Sequence, residues 1–190
     1  MTAADARAKI LWAARHPPVS APGICYGRTD VGLTASAEDA ADALDGSFTG
    51  ASSIVWSSPS TRCVAVAELL ARRWAVELRV DARLSELDFG TWEGRAWSAI
   101  ERDEPQAFTH WMENWKTAAP PGGESIDVLT SRVGGWIAEL REDTRAAART
   151  PVLIAHAGVI RALLVRIEGL SWDVAMKRNV PHLVWTRFVP

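Results

Sequence analysis

The chain has 190 residues, of which 48% are hydrophobic and 23% are charged. A domain of about 150 residues is typical, so residues 1–190 are interpreted as a single domain that buries a core of its own. The formal net charge of −2 gives no electrostatic reason to expect a nucleic-acid or anionic-membrane partner.

Four stretches of the sequence predict β-strands, and a fifth strand is expected at residues 76 to 80. The four are Lys9 to Ala14, Ser53 to Trp56, Val152 to Ala155 and His182 to Val189. The first and third are short apolar runs, as a strand that is buried on both faces requires.

Helical patterns separate these strands. The segment ASAEDAADAL follows Thr34, and Ser36 with Asp39 can cap a helix there. Further helices are predicted for STRCVAVAELLARRW, for SIDVLTSRVGGWIAELRED and for residues 158 to 168. Pro59 directly precedes the first of these and is suited to open it, with Arg62 on its first turn. Strands that alternate with helices predict an α/β fold, a three-layer α/β/α sandwich around a mainly parallel central sheet.

Residues 91 to 123 are rich in tryptophan and form a possible helical insertion. Four of the ten tryptophans fall between residues 91 and 115. Phe108, Trp111, Met112 and Trp115 follow helical spacing, and the prolines of TAAPPGG end the segment. Two interpretations are compatible: a helix that packs its apolar face on the body of the domain, and a lid over a pocket.

The cysteines and the N-terminal segment indicate the cellular compartment of the protein. Cys25 and Cys63 fit neither a CxxC redox pair nor a zinc site, so both are interpreted as reduced thiols. The first residues lack the features of a signal peptide, and no apolar run approaches the ~18 residues of a transmembrane helix. We therefore expect a cytoplasmic protein without membrane contacts.

Charged side chains follow three of the predicted strands. Arg15 and His16 come directly after the first strand, Arg62 lies on the first turn of the helix after the second, and His156 ends the third. Because ligands of open α/β sheets bind at the carboxyl ends of the strands, these four side chains are expected to share one site.

The residue types in this group favour phosphoryl chemistry. Two arginines offer forked donors for a phosphoryl group, and their charge keeps a neighbouring imidazole neutral and nucleophilic. The reaction also needs a proton donor for the leaving group, which Glu86, Asp88 or Glu93 can supply. Spacing alone leaves the choice among these three carboxylates open.

Five segments together resemble one known family. They are ARHPPV, SSPSTRC, LSELDFGTWEG, PGGES and LIAHAGVIRALL, and they occur in the family's order over nearly the whole chain. The chain thus resembles the histidine phosphatase superfamily, branch 1, whose fold is phosphoglycerate mutase-like. The stretch GICYGRTDVGLT is similar to that of the α-ribazole phosphatase-like members.

The resemblance implies a role for each matching residue. His16 is implied to be the nucleophile, which becomes a phosphohistidine, and Glu86 to be the acid that protonates the leaving group. Arg15, Arg62 and His156 are implied to bind the phosphoryl oxygens, and Tyr26, Gly27 and Arg28 to contact the substrate at the pocket rim. The resemblance further implies that no metal or other cofactor is needed and that the substrate is a small phosphomonoester, and a homodimer is common in the family.

Two positions depart from the family pattern. Pro17 replaces the usual glycine after the first histidine, which removes a backbone N–H donor, and Pro22 stands where many members have an asparagine. These departures leave open a binding module that holds phosphate without turning it over. A phosphoglycerate mutase is also compatible with these residues, whereas a metal hydrolase using His16, His156 and Glu86 is less so, because of the paired arginines. The substrate expected from the resemblance is α-ribazole 5′-phosphate, followed by small sugar phosphates.

Overall fold

The protein forms an α/β sandwich around a five-stranded sheet. A computed structural model describes residues 10–48, 52–143 and 149–190, so the predicted strand start at Lys9 lies outside the described residues. The strands are β1 (Leu11–Arg15), β2 (Ser53–Ser57), β3 (Leu78–Val80), β4 (Thr150–Ala155) and β5 (Trp185–Phe188). Their order in the sheet is β3-β2-β4-β1-β5.

The sheet is mainly parallel, as predicted. β1 pairs with β4, β4 with β2 and β2 with β3, all in parallel, whereas β5 runs antiparallel to β1. β5 is shorter than the predicted strand, because Leu183 adopts a left-handed φ of 57° that breaks the extended backbone. His182 therefore lies before the strand, opposite Arg15 in an isolated parallel bridge.

Seven α-helices surround the sheet in the described part of the chain. They are α1 (Ala37–Asp45), α2 (Thr61–Trp74), α3 (Trp97–Asp103), α4 (Pro105–Asn114), α5 (Ile126–Glu142), α6 (Ala157–Glu168) and α7 (Trp172–Lys177). The side chain of Ser36 accepts the amide of Asp39, as predicted. Pro59 does not open α2: the helix begins at Thr61 after an extended Ser60, so the proline lies outside it.

Side chains on the two faces of the sheet build two separate cores. Leu153 of β4 packs with α5 and α6, whereas its neighbour Ile154 packs with α1 and α2. This alternation places helices on both faces. The predicted three-layer sandwich is confirmed. No helix in the described ranges has both the length and the apolar character needed to cross a membrane.

The segment from 91 to 123 contains α3 and α4 and has a small core of its own. Trp92 is fully buried there, and Trp97, Phe108 and Trp111 pack around it. Each of these three aromatic rings lies with its centroid within 6.5 Å of that of Trp92. The aromatic residues thus pack the segment on the body, while its movement as a lid stays a prediction.

Candidate active site

The carboxyl ends of β1, β2 and β4 meet and bring two histidines together. The amide of His16 donates to the carbonyl of Ala155 across 2.9 Å, and the amide of Ser58 donates to that of Ile154 across 3.1 Å. These bonds extend the parallel pairing by one residue on each side of β4. The rings of His16 and His156 consequently lie side by side, with centroids 5.2 Å apart.

The ring of His16 is neutral and has one nitrogen with a free lone pair. Its Nδ1 lies 2.7 Å from the carbonyl oxygen of Pro17. Because a carbonyl only accepts, Nδ1 carries the proton and Nε2 is unprotonated. Burial lowers the pKa of His16 to about 3, and the nearby charges of Arg62 and Arg15 act in the same direction. The imidazole is therefore ready to act as a nucleophile at neutral pH.

Two arginines beside His16 keep donors free. Arg62 is fully buried and donates to the carbonyls of Thr29 (2.9 Å) and Gly27 (2.6 Å), but its Nε has no partner. The nearest carboxylate, that of Asp30, is 3.9 Å away. Arg15 donates to the carbonyl of Val180 across 3.2 Å, and its buried Nε is also unpaired. Cations whose Nε donors are buried and unsatisfied favour an anion between them.

A cavity of about 160 Å³ lies in front of these groups. Its lining consists of Arg15, His16, Ile24, Tyr26, Gly27, Arg62, Glu86, Phe89 and Trp97. Tyr26 and Gly27 thus line the cavity as predicted, and the Arg62 guanidinium lies 5.5 Å from the centre of the Tyr26 ring. Arg28 is not part of this lining, because its guanidinium pairs with Asp88 (3.0 Å) and Glu124 (3.3 Å).

Of the three candidate carboxylates, only Glu86 lines this cavity. Its Oε2 accepts the amide of Gly158 across 3.1 Å, which fixes it near the start of α6. Asp88 accepts the amide of Gly90 and pairs with Arg28. Glu93 accepts the amides of Arg28 and Thr29 at 2.8 and 2.9 Å. Asp88 and Glu93 therefore serve loop structure, and the geometry favours Glu86 as the proton donor.

His156 lies behind the cavity, and no part of its ring is exposed. Its Nδ1 accepts from Arg62 across 3.3 Å, and its Nε2 lies 2.7 Å from the Ser58 hydroxyl. Burial holds its pKa well below the usual range, and the charge of Arg62 adds to this effect. The structure thus places His156 in support of Arg62 and His16. For His156 to contact a phosphoryl group, its ring would have to give up the hydrogen bond with the Ser58 hydroxyl.

Arg132 on α5 holds the loop that carries Glu86, a role that the sequence did not reveal. It donates to the carbonyls of Arg83, Ser85 and Glu86 at 2.6 to 2.9 Å. It also pairs with Glu124, whose Oε1 is 2.5 Å away. Helical spacing gives no signal for this pair, because Glu124 precedes the helix that carries Arg132.

A third histidine also contacts His16. The Nδ1 of His182 donates to the carbonyl of His16 across 2.6 Å, and the two rings have centroids 5.2 Å apart. In the sequence, His182 falls at the start of a predicted strand. This contact was not predicted, because the left-handed turn at Leu183 has no sequence signature for a bulky residue.

A neutral buried histidine between two arginines, at the carboxyl edge of a parallel sheet, defines a protein of the phosphoryl-transfer class. The sequence model of the histidine phosphatase superfamily (branch 1) matches residues 11–189, and the chain belongs to this family. Its enzyme class is accordingly that of hydrolases acting on phosphoric monoesters. The resemblance seen in the sequence is confirmed.

Three similar proteins illustrate the range within the family. The adenosylcobalamin/α-ribazole phosphatase of Escherichia coli (strain K12) is 26% identical over 93% of this chain and 87% of its own. The crystal structure of the α-ribazole phosphatase from Shigella flexneri has a TM-score of 0.85 and 25% identity, over 94% of this chain and 89% of that chain. The mycobacterial glucosyl-3-phosphoglycerate phosphatase, in complex with VO3, has a TM-score of 0.80 and 28% identity, over 95% and 90%.

Proposed function

We propose that this protein hydrolyses a small phosphomonoester without a metal ion, through a phosphohistidine on His16. The observation that carries the proposal is the neutral His16, whose Nδ1 is bonded to Pro17 and whose Nε2 has a free lone pair beside two arginines. A nucleophile, a proton donor and cationic donors for the phosphoryl oxygens are the parts that such a reaction needs.

The reaction has two steps. Nε2 of His16 attacks phosphorus, the bond from phosphorus to the ester oxygen breaks, and Glu86 gives its proton to the leaving alkoxide. Glu86, now a carboxylate, takes a proton from a water molecule that attacks the phosphohistidine. Inorganic phosphate leaves, and both His16 and Glu86 return to their starting forms. Arg15 and Arg62 hold the phosphoryl oxygens in both steps, and their charge takes the place that a metal ion has in other phosphoryl-transfer enzymes.

Pro17 is compatible with this reaction. The contact that orients His16 uses the carbonyl of residue 17, which proline retains, and not the amide that proline lacks. Pro17 still removes one N–H donor from the site, and this absence together with Pro22 is what supports the alternative of a non-catalytic binding module.

The substrate we put first is α-ribazole 5′-phosphate. The relative from Escherichia coli that matches most of the chain bears that substrate in its name. Trp97, which lines the cavity, offers a flat surface for a base. Small sugar phosphates come second.

The proposed partner is thus a small molecule in the cytoplasm. A homodimer, which the resemblance implies, is testable by analytical ultracentrifugation.

The test is release of phosphate from an aryl phosphate in excess chelator, followed by a screen of phosphorylated metabolites. The wild type is expected to turn over and to form an acid-labile phosphoenzyme, and His16→Ala to lose both. His110→Ala, which removes an exposed histidine of α4, serves as the matched control. Unchanged turnover in His16→Ala would reject the mechanism. Conversion of 3-phosphoglycerate to its 2-isomer would instead favour a phosphoglycerate mutase.

A further inference from the structure

A second and larger cavity adjoins the one that holds His16. Its volume is about 450 Å³, within the range of about 300–1,000 Å³ that is usual for small-molecule sites. Glu86 and Phe89 line both cavities, so the two meet at the proposed proton donor. A phosphoryl group held by the arginines therefore has its ester oxygen near Glu86 and its leaving group in the second cavity.

The walls of this second cavity are mainly apolar. Three tryptophans and two methionines supply much of the surface: Trp111, Trp115, Trp172, Met112 and Met176. Leu87 and Ile126 add further apolar surface. Such walls favour a bulky apolar or aromatic leaving group over a strongly hydrated one.

One cation, Arg161, lies in this apolar lining. It belongs to α6, where Gly158, three residues earlier, also lines the cavity. Its Nε is buried without a hydrogen-bond partner, and it has no ion pair among the residues that the structure describes. Burial lowers the pKa of Arg161 and the charge of Arg15 adds to this, whereas the charge of Glu86 opposes it.

The isolation of Arg161 distinguishes it from the structural arginines of the chain. Arg83 and Arg132, for example, bind carboxylates at 2.5 to 2.6 Å. The Glu86 carboxylate does not pair with Arg161, because it accepts the amides of Gly158 and Leu87 instead. The charge of Glu86 offsets part of the hydration that this half-buried guanidinium loses, but no described residue pairs with it directly, so a ligand anion can supply the missing contact.

We propose that Arg161 binds a carboxylate on the leaving alcohol of the substrate, and that the rest of this alcohol packs against the tryptophans. The inference rests on the proposed phosphatase activity and narrows its substrate class to phosphomonoesters of bulky apolar or aromatic alcohols that bear an acidic group. α-Ribazole 5′-phosphate, which the resemblance puts first, has no carboxylate for Arg161, so the inference ranks acid-bearing phosphomonoesters above it. It is therefore an informative comparison substrate.

The experiment compares a carboxylated aryl phosphate with its neutral amide in two lengths. The pairs are 4-carboxyphenyl and 4-carbamoylphenyl phosphate, and 6-carboxy-2-naphthyl and 6-carbamoyl-2-naphthyl phosphate. The quantity measured is the ratio of kcat/KM for acid over amide in the wild type and in Arg161→Gln, so that differences in leaving-group chemistry cancel. A charge-assisted hydrogen bond predicts that the ratio falls about tenfold to a hundredfold in the variant for at least one length.

The matched control is Arg166→Gln, which removes an exposed arginine of the same helix that lines neither cavity. This variant is expected to keep the wild-type ratio. If the ratio in Arg161→Gln equals that of the wild type for both lengths, the inference is overturned. The same holds if acid and amide lose activity equally, since Arg161 would then act only through Glu86.

A binding measurement separates this inference from the proposed function. Calorimetry with 6-hydroxy-2-naphthoate and its amide reports the Arg161 site without any turnover. Preferential binding of the acid that Arg161→Gln abolishes supports the inference, even if the wild type hydrolyses no phosphate ester. Equal binding of acid and amide by a wild type that does hydrolyse aryl phosphates overturns the inference and leaves the proposed function intact.

Discussion

The amide of Gly158 donates to Oε2 of Glu86 across 3.1 Å, and a Cβ atom on Gly158 would stand 2.1 Å from Oε1 of the same carboxylate. The first turn of α6 therefore both binds the proposed proton donor and leaves it room. No other residue type fits at position 158 without moving Glu86. The second-histidine segment and the acid loop, which are far apart in sequence, thus depend on each other.

Replacement of Gly158 by alanine is expected to impair catalysis more than folding. The Glu86 side chain is flexible and can move away from the new methyl group, so the cost in stability is small. A displaced general acid loses part of the roughly 10²- to 10⁴-fold that such a group contributes, and we expect kcat to fall at least about tenfold. The measurement is kcat with an alkyl phosphate and with 4-nitrophenyl phosphate, whose better leaving group needs less protonation.

The control for this prediction is Gly135→Ala on α5, where no atom beyond the adjacent residues and the helix's own backbone lies within 4 Å of the added Cβ. It should keep full activity and gain up to about 1 kcal/mol in the free energy of unfolding, because alanine favours the helix. Equal kcat in Gly158→Ala and the wild type on both substrates would contradict the proposed position of the proton donor.

Arg132→Lys is expected to loosen the acid loop. A lysine has one ammonium and cannot bridge the three carbonyls of residues 83, 85 and 86 while it pairs with Glu124. Loss of these partly buried bonds should lower the free energy of unfolding by about 2–3 kcal/mol and reduce kcat. Urea unfolding and steady-state kinetics measure both. The control is Arg102→Lys, because Arg102 forms an exposed ion pair with Asp103 on α3. It should change the free energy of unfolding by less than about 0.5 kcal/mol.

The positions of the arginine and histidine residues were predictable because they follow from strand order. Arg15, His16, Arg62 and His156 each come directly after a predicted strand or open the next helix, and parallel strands bring such residues to one edge. The choice of Glu86 over Asp88 and Glu93 was not predictable from spacing. It depends on which backbone amides each carboxylate meets, and these lie on α6 and on the loop at residues 28 and 29.

Nothing in the sequence indicated that His156 lies behind the cavity. Its orientation depends on Ser58 and Arg62, which contact its two ring nitrogens. The second cavity was similarly invisible, because Trp111, Trp115 and Trp172 come from different segments and their separation depends on tertiary packing. Helical spacing correctly indicated that Phe108 and Trp111 pack inward, but the helix ends at Asn114, one residue before Trp115.

Stability is expected to decrease as the pH falls below about 6.5, because His16 and His156 are buried as neutral rings. The pKa of His16 in the folded protein is lowered to about 3, and that of His156 is also well below its usual value. Unfolding restores ordinary pKa values near 6.5, so the unfolded chain binds protons that the folded chain does not. The folded state therefore has its full advantage above pH 6.5 and loses it towards pH 3.

For each of these two histidines the free energy of unfolding should fall by up to about 1.4 kcal/mol per pH unit between pH 6 and 5. His182, whose pKa is also lowered by burial, adds less because it is only half-buried and solvent screens its charge. Urea unfolding at pH 7, 6 and 5 measures the slope. In His16→Gln, this slope should be smaller by the contribution of about one proton, which is up to about 1.4 kcal/mol per pH unit. A flat profile in the wild type between pH 7 and 5 would contradict the prediction that these rings stay neutral in the folded protein while they take up protons in the unfolded chain.

The thiol of Cys63 reports on the integrity of the site, because it is fully buried against His156. Its Sγ lies 3.6 Å from Nε2 of that ring, and burial raises the pKa of the thiol. Burial also raises the pKa of Cys25, to about 12. Since the thiolate is the reactive form, we expect neither cysteine of the folded protein to be alkylated by iodoacetamide at pH 8, and both to react in urea.

Labelling of Cys63 can then be used to measure opening of the site. In a Cys25→Ser variant, mass spectrometry follows Cys63 alone, and slow labelling reflects the fraction of molecules that open. Inorganic phosphate bound between Arg15 and Arg62 should slow this labelling by the factor 1 + [phosphate]/Kd, because it binds only the closed site. Chloride at equal ionic strength is the control. Labelling that is as fast as that of a free thiol, or that phosphate does not slow, would contradict the burial of Cys63 behind an anion site.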